Sequence, residues 1–352
     1  MNLLKVENYY KSVKASLNSI VNVEKLKNSS ILITGSTGLI CSSIIDELLV
    51  LNELFDYNIR IYACARSQNS INKRFERYKD NKNLIYIQYD AKENIDFNVK
   101  VDYVIHGASN ASPELYVKEP VETMLSNIFG MKNLLEFSKN NTVKSLVYIS
   151  SSEVYGIKEN VKPYVEDEYG YIDILNVRSS YSSSKRATET LCISYANEYD
   201  LDVKIVRPGH IYGPSAKETD RRISSSFLRD ALRGENLVMK SAGEQIRSYC
   251  HSLDCASAIL TVLLSGRLGE AYNISNKNSI ITIKEMAEII SRIANVELIL
   301  QLPNDLEIKQ QNPMNNSSLN SYKLETLGWK GIFTAEEGFK ETYSVLEDYY
   351  GK

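Results

Sequence analysis

The sequence predicts an α/β protein: a doubly wound parallel sheet with a smaller mixed α/β C-terminal lobe. Three observations predict it. Apolar runs of strand length alternate with segments of helical length from Ile31 to Arg207, the pattern of a parallel sheet covered on both faces. A glycine-bearing turn separates the first such run from the first long helical segment. After Gly213 the alternation loosens into helical pieces and short strands. The expected division is 1–213 and 214–352, with a segment of about 248–275 packing back onto the first part. No proline- or glycine-rich linker marks the boundary, and 352 residues suffice for a large core.

Residues 1–28 read as a polar, mostly helical lead-in. Ile31–Thr34 is a short apolar strand, and Leu39 to Leu51 has helical length and spacing. Strands follow at Ile59–Ala65, Leu84–Tyr89 and Tyr103–His106, then a helix from about Pro120 to Asn140. Leu146–Ser150 is a strand, Lys185–Tyr199 a helix and Val203–Arg207 a strand. Beyond Gly213, helices are expected at Ser225–Arg233, Ile283–Ala294 and Ala335–Tyr349.

Composition narrows the function. Apolar residues are 43% and charged residues 24%, values of an ordinary globular chain. The net charge is −3 and the 41 basic residues form no long run, so no nucleic-acid partner is expected. The most apolar stretch, Ile31 to Leu51, is broken by Thr34, Gly35, Ser36, Thr37, Gly38, Asp46 and Glu47, so no membrane partner is expected either. The N-terminus carries Lys5, Glu7, Lys11 and Lys14 and lacks the unbroken apolar run of a secretory signal. Five scattered cysteines and three histidines give neither a disulfide framework nor a metal spacing, which fits a reducing cytoplasm.

Thr34-Gly35-Ser36-Thr37-Gly38-Leu39-Ile40-Cys41 lies between the first strand and the first long helix. Gly35 permits a tight turn, and Gly38 lets backbone N–H groups approach a pyrophosphate at the helix N-terminus. That context points to dinucleotide binding by a Rossmann-type sheet; an ordinary strand-to-helix turn is the other reading. The third small position is Cys41. The second strand ends in Ala65-Arg66-Ser67 rather than in an acidic residue. Arg66 therefore faces a 2′-phosphate, which favours NADP, or stacks on adenine, or is a solvated arginine. Asp90 either binds the adenine amine or is a turn residue.

Tyr181 and Lys185 are four residues apart at the start of a predicted helix, on one face. An ammonium beside a phenol stabilises the phenolate and makes the pair an acid/base for a sugar or alcohol hydroxyl. Ser150-Ser-Ser-Glu-Val-Tyr-Gly156 ends a predicted parallel strand, the edge where open α/β sheets bind ligands. Ser151 is placed to hydrogen-bond the reacting oxygen. Glu153 is placed to take a proton from carbon or give one to a leaving group. Caps, turns and a solvated carboxylate are the structural alternatives.

With these motifs in order, the chain resembles extended short-chain dehydrogenase/reductases of the nucleotide-sugar epimerase/dehydratase group. The likeness spans about residues 30 to 330. Beyond the motifs above, it includes His106-Gly-Ala-Ser109, Asn127-x-x-Gly130-x-x-Asn133, Arg207-Pro-Gly-His-Ile-Tyr-Gly-Pro214, Gly243-Glu-Gln-Ile-Arg247, Asp254 and Leu327-Gly-Trp329. The resemblance implies bound NAD, with NADP as the alternative. It implies hydride taken from a sugar carbon, usually C4, while Tyr181 takes the hydroxyl proton. The keto intermediate then loses water or CO2, or rotates, and hydride usually returns. Gly35, Thr37, Gly38, Leu39, Ile40, Arg66, Asp90, Ala91, Ala108, Ser109, Tyr181, Lys185 and Pro208 would line the cofactor. Ser112, Asn127, Ser152, His210 and Arg247 would line a nucleotide-diphosphate sugar, with Arg247 on the diphosphate.

Subgroup features diverge. The Asp of many glucose 4,6-dehydratases is replaced by Ser152, whereas Ser-Glu at this place is shared by mannose-type dehydratases and uronic-acid decarboxylases. Ala108 to Pro113 with Tyr116 and Pro120 resembles the decarboxylases, while Arg66-Ser-Gln-Asn-Ser with Asn72 resembles NADP-using mannose-type dehydratases. His210 stands where an Asn is common, and His251-Ser252 replaces Tyr-Val. The Arg often found before the Leu-Gly-Trp segment is missing around Met314 to Asn320. An NADPH-dependent net reductase of a keto sugar and a non-catalytic nucleotide-binding protein remain the alternatives. The family also suggests a homodimer through two paired helices. Ala187, Leu191 and Tyr195 suit that role or the core equally.

Overall fold

The computed structural model describes residues 1–95, 97–109, 113–158, 162–301 and 314–351. Helix α1 (Glu7–Ser16) precedes a sheet built from β1 (Ser30–Thr34), β2 (Arg60–Ala65), β3 (Leu84–Gln88), β4 (Tyr103–His106), β5 (Ser145–Ile149) and β6 (Val203–Pro208). Between these strands run α2 (Leu39–Phe55), α3 (Gln68–Arg74), α4 (Pro113–Lys118), α5 (Pro120–Asn140) and α6 (Ser179–Tyr199). Then come β7 (His210–Tyr212), α7 (Ile223–Leu232), β8 (Leu237–Met239), β9 (Ile246–His251), α8 (Ser252–Ser265), β10 (Ala271–Ile274), β11 (Ile280–Thr282), α9 (Ile283–Ala294) and β12 (Leu298–Leu300). A last long helix covers Ala335–Tyr350. None of the described helices is long and apolar enough to cross a membrane.

The main sheet is parallel throughout, in the order β3-β2-β1-β4-β5-β6-β10. Its central strands β1, β4, β5 and β6 are almost wholly buried, as a sheet covered on both faces requires, while the edge strand β3 is only partly covered. Helices α2 and α8 pack together on one face, and α5 and α6 on the other. The strand order reverses between β1 and β4, and their register sets Thr34 beside both Cys64 and His106. The carboxyl ends of three strands thus open at one level, where ligands bind in open α/β sheets. The short strands β7, β9 and β11 form one small sheet, and β8 pairs with β12 in another.

Two expectations need correction. The first 28 residues are helical, but they are no polar lead-in. Leu3, Leu4, Tyr9, Val13, Leu17, Ile20 and Leu26 are buried in the core shared by α2 and α8. Each such side chain contributes on the order of 2 kcal/mol when fully buried. Lys5, Glu7, Lys11 and Lys14, the charges that make the segment look polar, are exposed. Helix α6 also begins at Ser179 rather than at Lys185, which puts Tyr181 in its first turn, as the reading of the Tyr181–Lys185 pair expects.

Candidate active site

The β1–α2 turn is shaped by two close approaches. Gly35 has φ +73°, and a Cβ there would stand 2.8 Å from the Gly107 carbonyl. A Cβ on Gly107 would in turn stand 2.3 Å from Cys41 Sγ, so the sulfur fills the third small position. Thr34 Oγ1 holds the β4 end: it lies 2.7 Å from His106 Nδ1 and accepts from the N–H groups of Gly107 and Ala108. Burial, with the nearby Lys185 charge, pulls His106 down to about 3, so its ring is neutral. Helix α2 has no side-chain cap at Gly38 and no acidic residue in its first turn. Thr37, Gly38, Leu39 and Ile40 are half-buried around this helix end. An uncapped N-terminus of a 17-residue helix, approached across glycines, fits a pyrophosphate.

Towards the adenosine end, Arg66 is exposed just beyond β2. Asp90 accepts from the Lys92 N–H at 3.0 Å, a local turn. Ala91 is buried against Gly130, where a Cβ would meet the Ala91 Cβ at 3.0 Å. At the other end, Ala108 and Ser109 follow β4 and Pro208 ends β6. These positions line the carboxyl edge of the sheet, as a dinucleotide laid across the switch point needs.

Tyr181 and Lys185 both point into the buried side of α6. Lys185 Nζ donates to the Ile149 carbonyl at 2.8 Å and lies over the Tyr148 ring at 4.7 Å. Burial pulls this ammonium down to about 7. Tyr181 does not carry the lowered value expected from Lys185. Its burial and the neighbouring Glu153 carboxylate push it up, opposed by the Ser151 hydroxyl and the Arg222 charge. The reason is placement: Lys185 Nζ stands 5.7 Å from the Tyr181 ring centre and spends a hydrogen bond on the end of β5.

Glu153 rides on a 3-10 turn, Ser152–Tyr155, whose N-cap Ser151 accepts from the Glu153 N–H. Its Oε1 accepts from Tyr116 OH at 3.3 Å and lies 3.5 Å from Arg178 Nη2. Tyr116 stacks on Tyr181, with ring centres 5.0 Å apart and planes 15° apart. Arg178 was not singled out from the sequence. Its signal was there: it precedes Tyr181 by three residues, one helical turn. Ser152 is buried within the same turn.

Two devices, one half-buried and one buried, brace this turn. Arg186 donates from Nε to the Val154 carbonyl at 2.6 Å, and from Nη2 to the Tyr155 and Gly170 carbonyls at 3.2 and 2.8 Å. It satisfies the orphan carbonyls at the end of the short helix. Further along α6, Glu189 accepts from Ser150 Oγ at 2.5 Å and from Arg207 at 3.0 and 2.7 Å. Arg207 also donates to Tyr155 OH at 3.0 Å. Neither Arg186 nor Glu189 was singled out from sequence.

On the substrate side, Asn127 accepts from Ser109 Oγ at 2.8 Å and donates to Ser184 Oγ at 2.9 Å. This ties α5 to α6 beside Tyr181. Arg247 is buried, donates to the Ile246 carbonyl at 2.9 Å, and is lowered by that burial. Among the described residues no carboxylate is within salt-bridge distance of it. His210 is pulled down to about 3 by burial and by the charges of Arg247 and Arg222, and its buried Nδ1 has no partner among the described residues. The pair is a cationic, hydrogen-bonding corner suited to an anion. Arg222, also missed, is held by Asp220 and the Ile211 carbonyl. Ser112 lies outside the described residues. Of the proposed dimer positions on α6, Tyr195 is buried, Leu191 half-buried and Ala187 exposed.

Comparison with known proteins agrees with this geometry. Residues 31–275 match the model of the NAD dependent epimerase/dehydratase family. UDP-glucuronic acid decarboxylase 6 of Arabidopsis thaliana is 30% identical over 316 residues, covering 88% of this chain and 87% of that one. The dTDP-D-glucose 4,6-dehydratase of Dictyostelium discoideum is 28% identical, covering 92% and 82%. The UDP-N-acetylglucosamine 4-epimerase structure from Methanobrevibacter ruminantium M1 superposes with a TM-score of 0.78 at 24% identity, covering 92% and 99%. The dTDP-glucose 4,6-dehydratase of Bacillus anthracis, solved with NAD, gives 0.75 at 23%, covering 91% and 97%. The chain belongs to the NAD-dependent epimerase/dehydratase family of enzymes.

Proposed function

We propose that this enzyme decarboxylates a nucleotide-diphosphate-linked uronic acid by internal redox recycling. The observation that carries the reading is the Arg178–Glu153–Tyr116 cluster stacked against Tyr181. NAD supplies a hydride acceptor for the sugar C4 and later the same hydride. Tyr181 holds the C4 hydroxyl proton, with the Ser151 hydroxyl near its phenol and Lys185 anchoring the end of β5. With C4 a ketone, the C6 carboxylate is β to a carbonyl. The C5–C6 electron pair then moves into the carbonyl as CO2 leaves, and the resulting enolate gains one new proton at C5, drawn from solvent on the Glu153 side, in place of the lost CO2. Arg178 is partly exposed and shares one carboxylate at 3.5 Å, so its guanidinium retains donors for the substrate's own carboxylate. Ser152 offers no carboxylic acid to expel a hydroxyl, which weighs against a glucose-type dehydration. Asn127 and the Arg247–His210 corner would take the sugar and the diphosphate.

The same reading includes a homodimer. Helix α5 exposes Val121, Leu125 and Phe129 four residues apart, and Ile193 on α6 adds to that surface. Five buried free cysteines fit a cytoplasmic setting.

The test is incubation with NAD+ and UDP-glucuronate, compared with UDP-glucose, dTDP-glucose and UDP-N-acetylglucosamine. The expected outcome is equimolar CO2 and a nucleotide pentose, without net change in nicotinamide absorbance. A C4 epimer or a 4-keto-6-deoxy product from a hexose, with the uronate inert, overturns decarboxylation. Identification of the nucleotide released on denaturation checks NAD against NADP, which exposed Arg66 keeps in the comparison.

A further inference from the structure

The N-terminal segment lies outside the 31–275 region matched by the family, yet one of its fully buried polar contacts joins elements that flank the proposed cofactor cleft. Tyr9 OH donates to Asp46 Oδ2 at 2.7 Å, and Arg74 donates from Nη1 to Asp46 Oδ1 at 3.2 Å and from Nη2 to Oδ2. All three side chains are buried. Asp46 belongs to α2, whose first turn faces the proposed pyrophosphate site. Arg74 ends α3, which begins two residues after Arg66, at the strand end that reads the adenosine ribose in this sheet type.

Helix α3 has little else to hold it. Of residues 66–74 only Ile71 and Arg74 are buried. A seven-residue helix has no independent stability and takes its position from its anchors. The N-terminal segment grips the following residues as well. Arg77 donates to the Leu4 carbonyl at 2.7 Å, and Lys5 pairs with Glu76 at 2.9 Å. A desolvated ion pair holds its geometry only when its remaining atoms are hydrogen-bonded, and Tyr9 supplies that bond to Asp46.

We propose that Tyr9, Asp46 and Arg74 are positioning residues for the cofactor: through them the N-terminal helix sets α3 and, with it, the Arg66–Ser67 turn that meets the adenosine end. The N-terminal segment is then a functional part of the binding site and not only a cover for the core.

The test is NAD+ and ADP-ribose binding to the full chain by titration calorimetry, for wild type, Tyr9→Phe and Arg74→Met. It needs no sugar substrate, so it stands apart from the decarboxylase reading. Tyr9→Phe removes one hydroxyl and keeps the ring in the core, so it decides the matter if Arg74→Met does not fold. The expected result is a loss of affinity of about fivefold for Tyr9→Phe, the scale of one net hydrogen bond, shared equally by NAD+ and ADP-ribose. With any active substrate, KM for NAD+ rises while kcat at saturating cofactor stays at wild type. Unchanged NAD+ affinity in folded Tyr9→Phe, with only the melting temperature lowered, assigns the triad a merely structural role and overturns the proposal. A loss for NAD+ that ADP-ribose does not share overturns it too.

Discussion

The two ends of the cofactor cleft are built to different standards. At the catalytic end, the turn bearing Ser151 and Glu153 is fastened by Arg186 to three carbonyls and by Glu189 to Ser150 and Arg207, largely out of solvent. At the adenosine end, α3 is exposed apart from Ile71 and Arg74. Proton transfer demands placement within a fraction of an ångström, so the catalytic end is over-determined. The proposed adenosine end would contribute affinity, which falls gradually as a turn loosens. Lesions at the first should strike rate and stability; lesions at the second should strike cofactor affinity.

The largest effect tests the first half of that contrast. Tyr181→Phe should lower turnover by about 10²–10⁴-fold while NAD+ affinity stays near wild type, measured as kcat and binding on the same preparation. Next, Arg207→Leu leaves Glu189 buried without its ion-pair partner. It should cost about 3–5 kcal/mol in urea unfolding, and a cost below about 1 kcal/mol would show that the brace is dispensable. Arg186→Lys keeps the charge but loses the fork that spans three carbonyls. We expect a loss of roughly 1–3 kcal/mol and a fall in kcat with little change in KM for NAD+, the reverse of the split expected for Tyr9→Phe.

The last test depends on pH and concerns α2, which both ends share. Glu47 is buried; Ser16 Oγ donates to its Oε1 at 2.7 Å, and its Oε2 has no partner among the described residues. Burial pushes its carboxyl well up, Ser16 opposes that, and the nearby Asp254 and Asp46 charges add to it. The folded state therefore keeps a proton that the unfolded chain releases above about pH 4.5. Stability from this group is fully present below that pH. It is then lost, at about 1.4 kcal/mol per unit, as pH rises towards the folded value. Glu47→Gln should flatten the fall of the urea midpoint between pH 5 and pH 8. Parallel curves for the two proteins would remove Glu47 as the cause.

What was legible in the sequence was what is local along the chain. The Thr34–Gly38 turn, the Tyr181–Lys185 pair and the Ser151–Glu153 segment each declare themselves within a few residues. Contacts between distant segments do not. Tyr116 stacks on Tyr181 from 65 residues away, and nothing in its own neighbourhood announces that. The lead-in was misread because its charges were counted and its period was not: Tyr9, Val13 and Leu17 recur every four residues and are the buried face. The spacing of Tyr181 and Lys185 put them on one face correctly. Spacing could not weigh burial, which governs both groups more than they govern each other.

The contact between Cys41 and Gly107 carries a consequence for how such sequences drift. The sulfur occupies the space that a side chain at 107 would need. Burial also pushes its thiol up to about 12, so it serves as volume and not as a nucleophile. The two positions are thus one shared compartment divided between two codons. Any lineage that gains a methyl at 107 must first shed the sulfur at 41, and the order of those steps is set by packing alone.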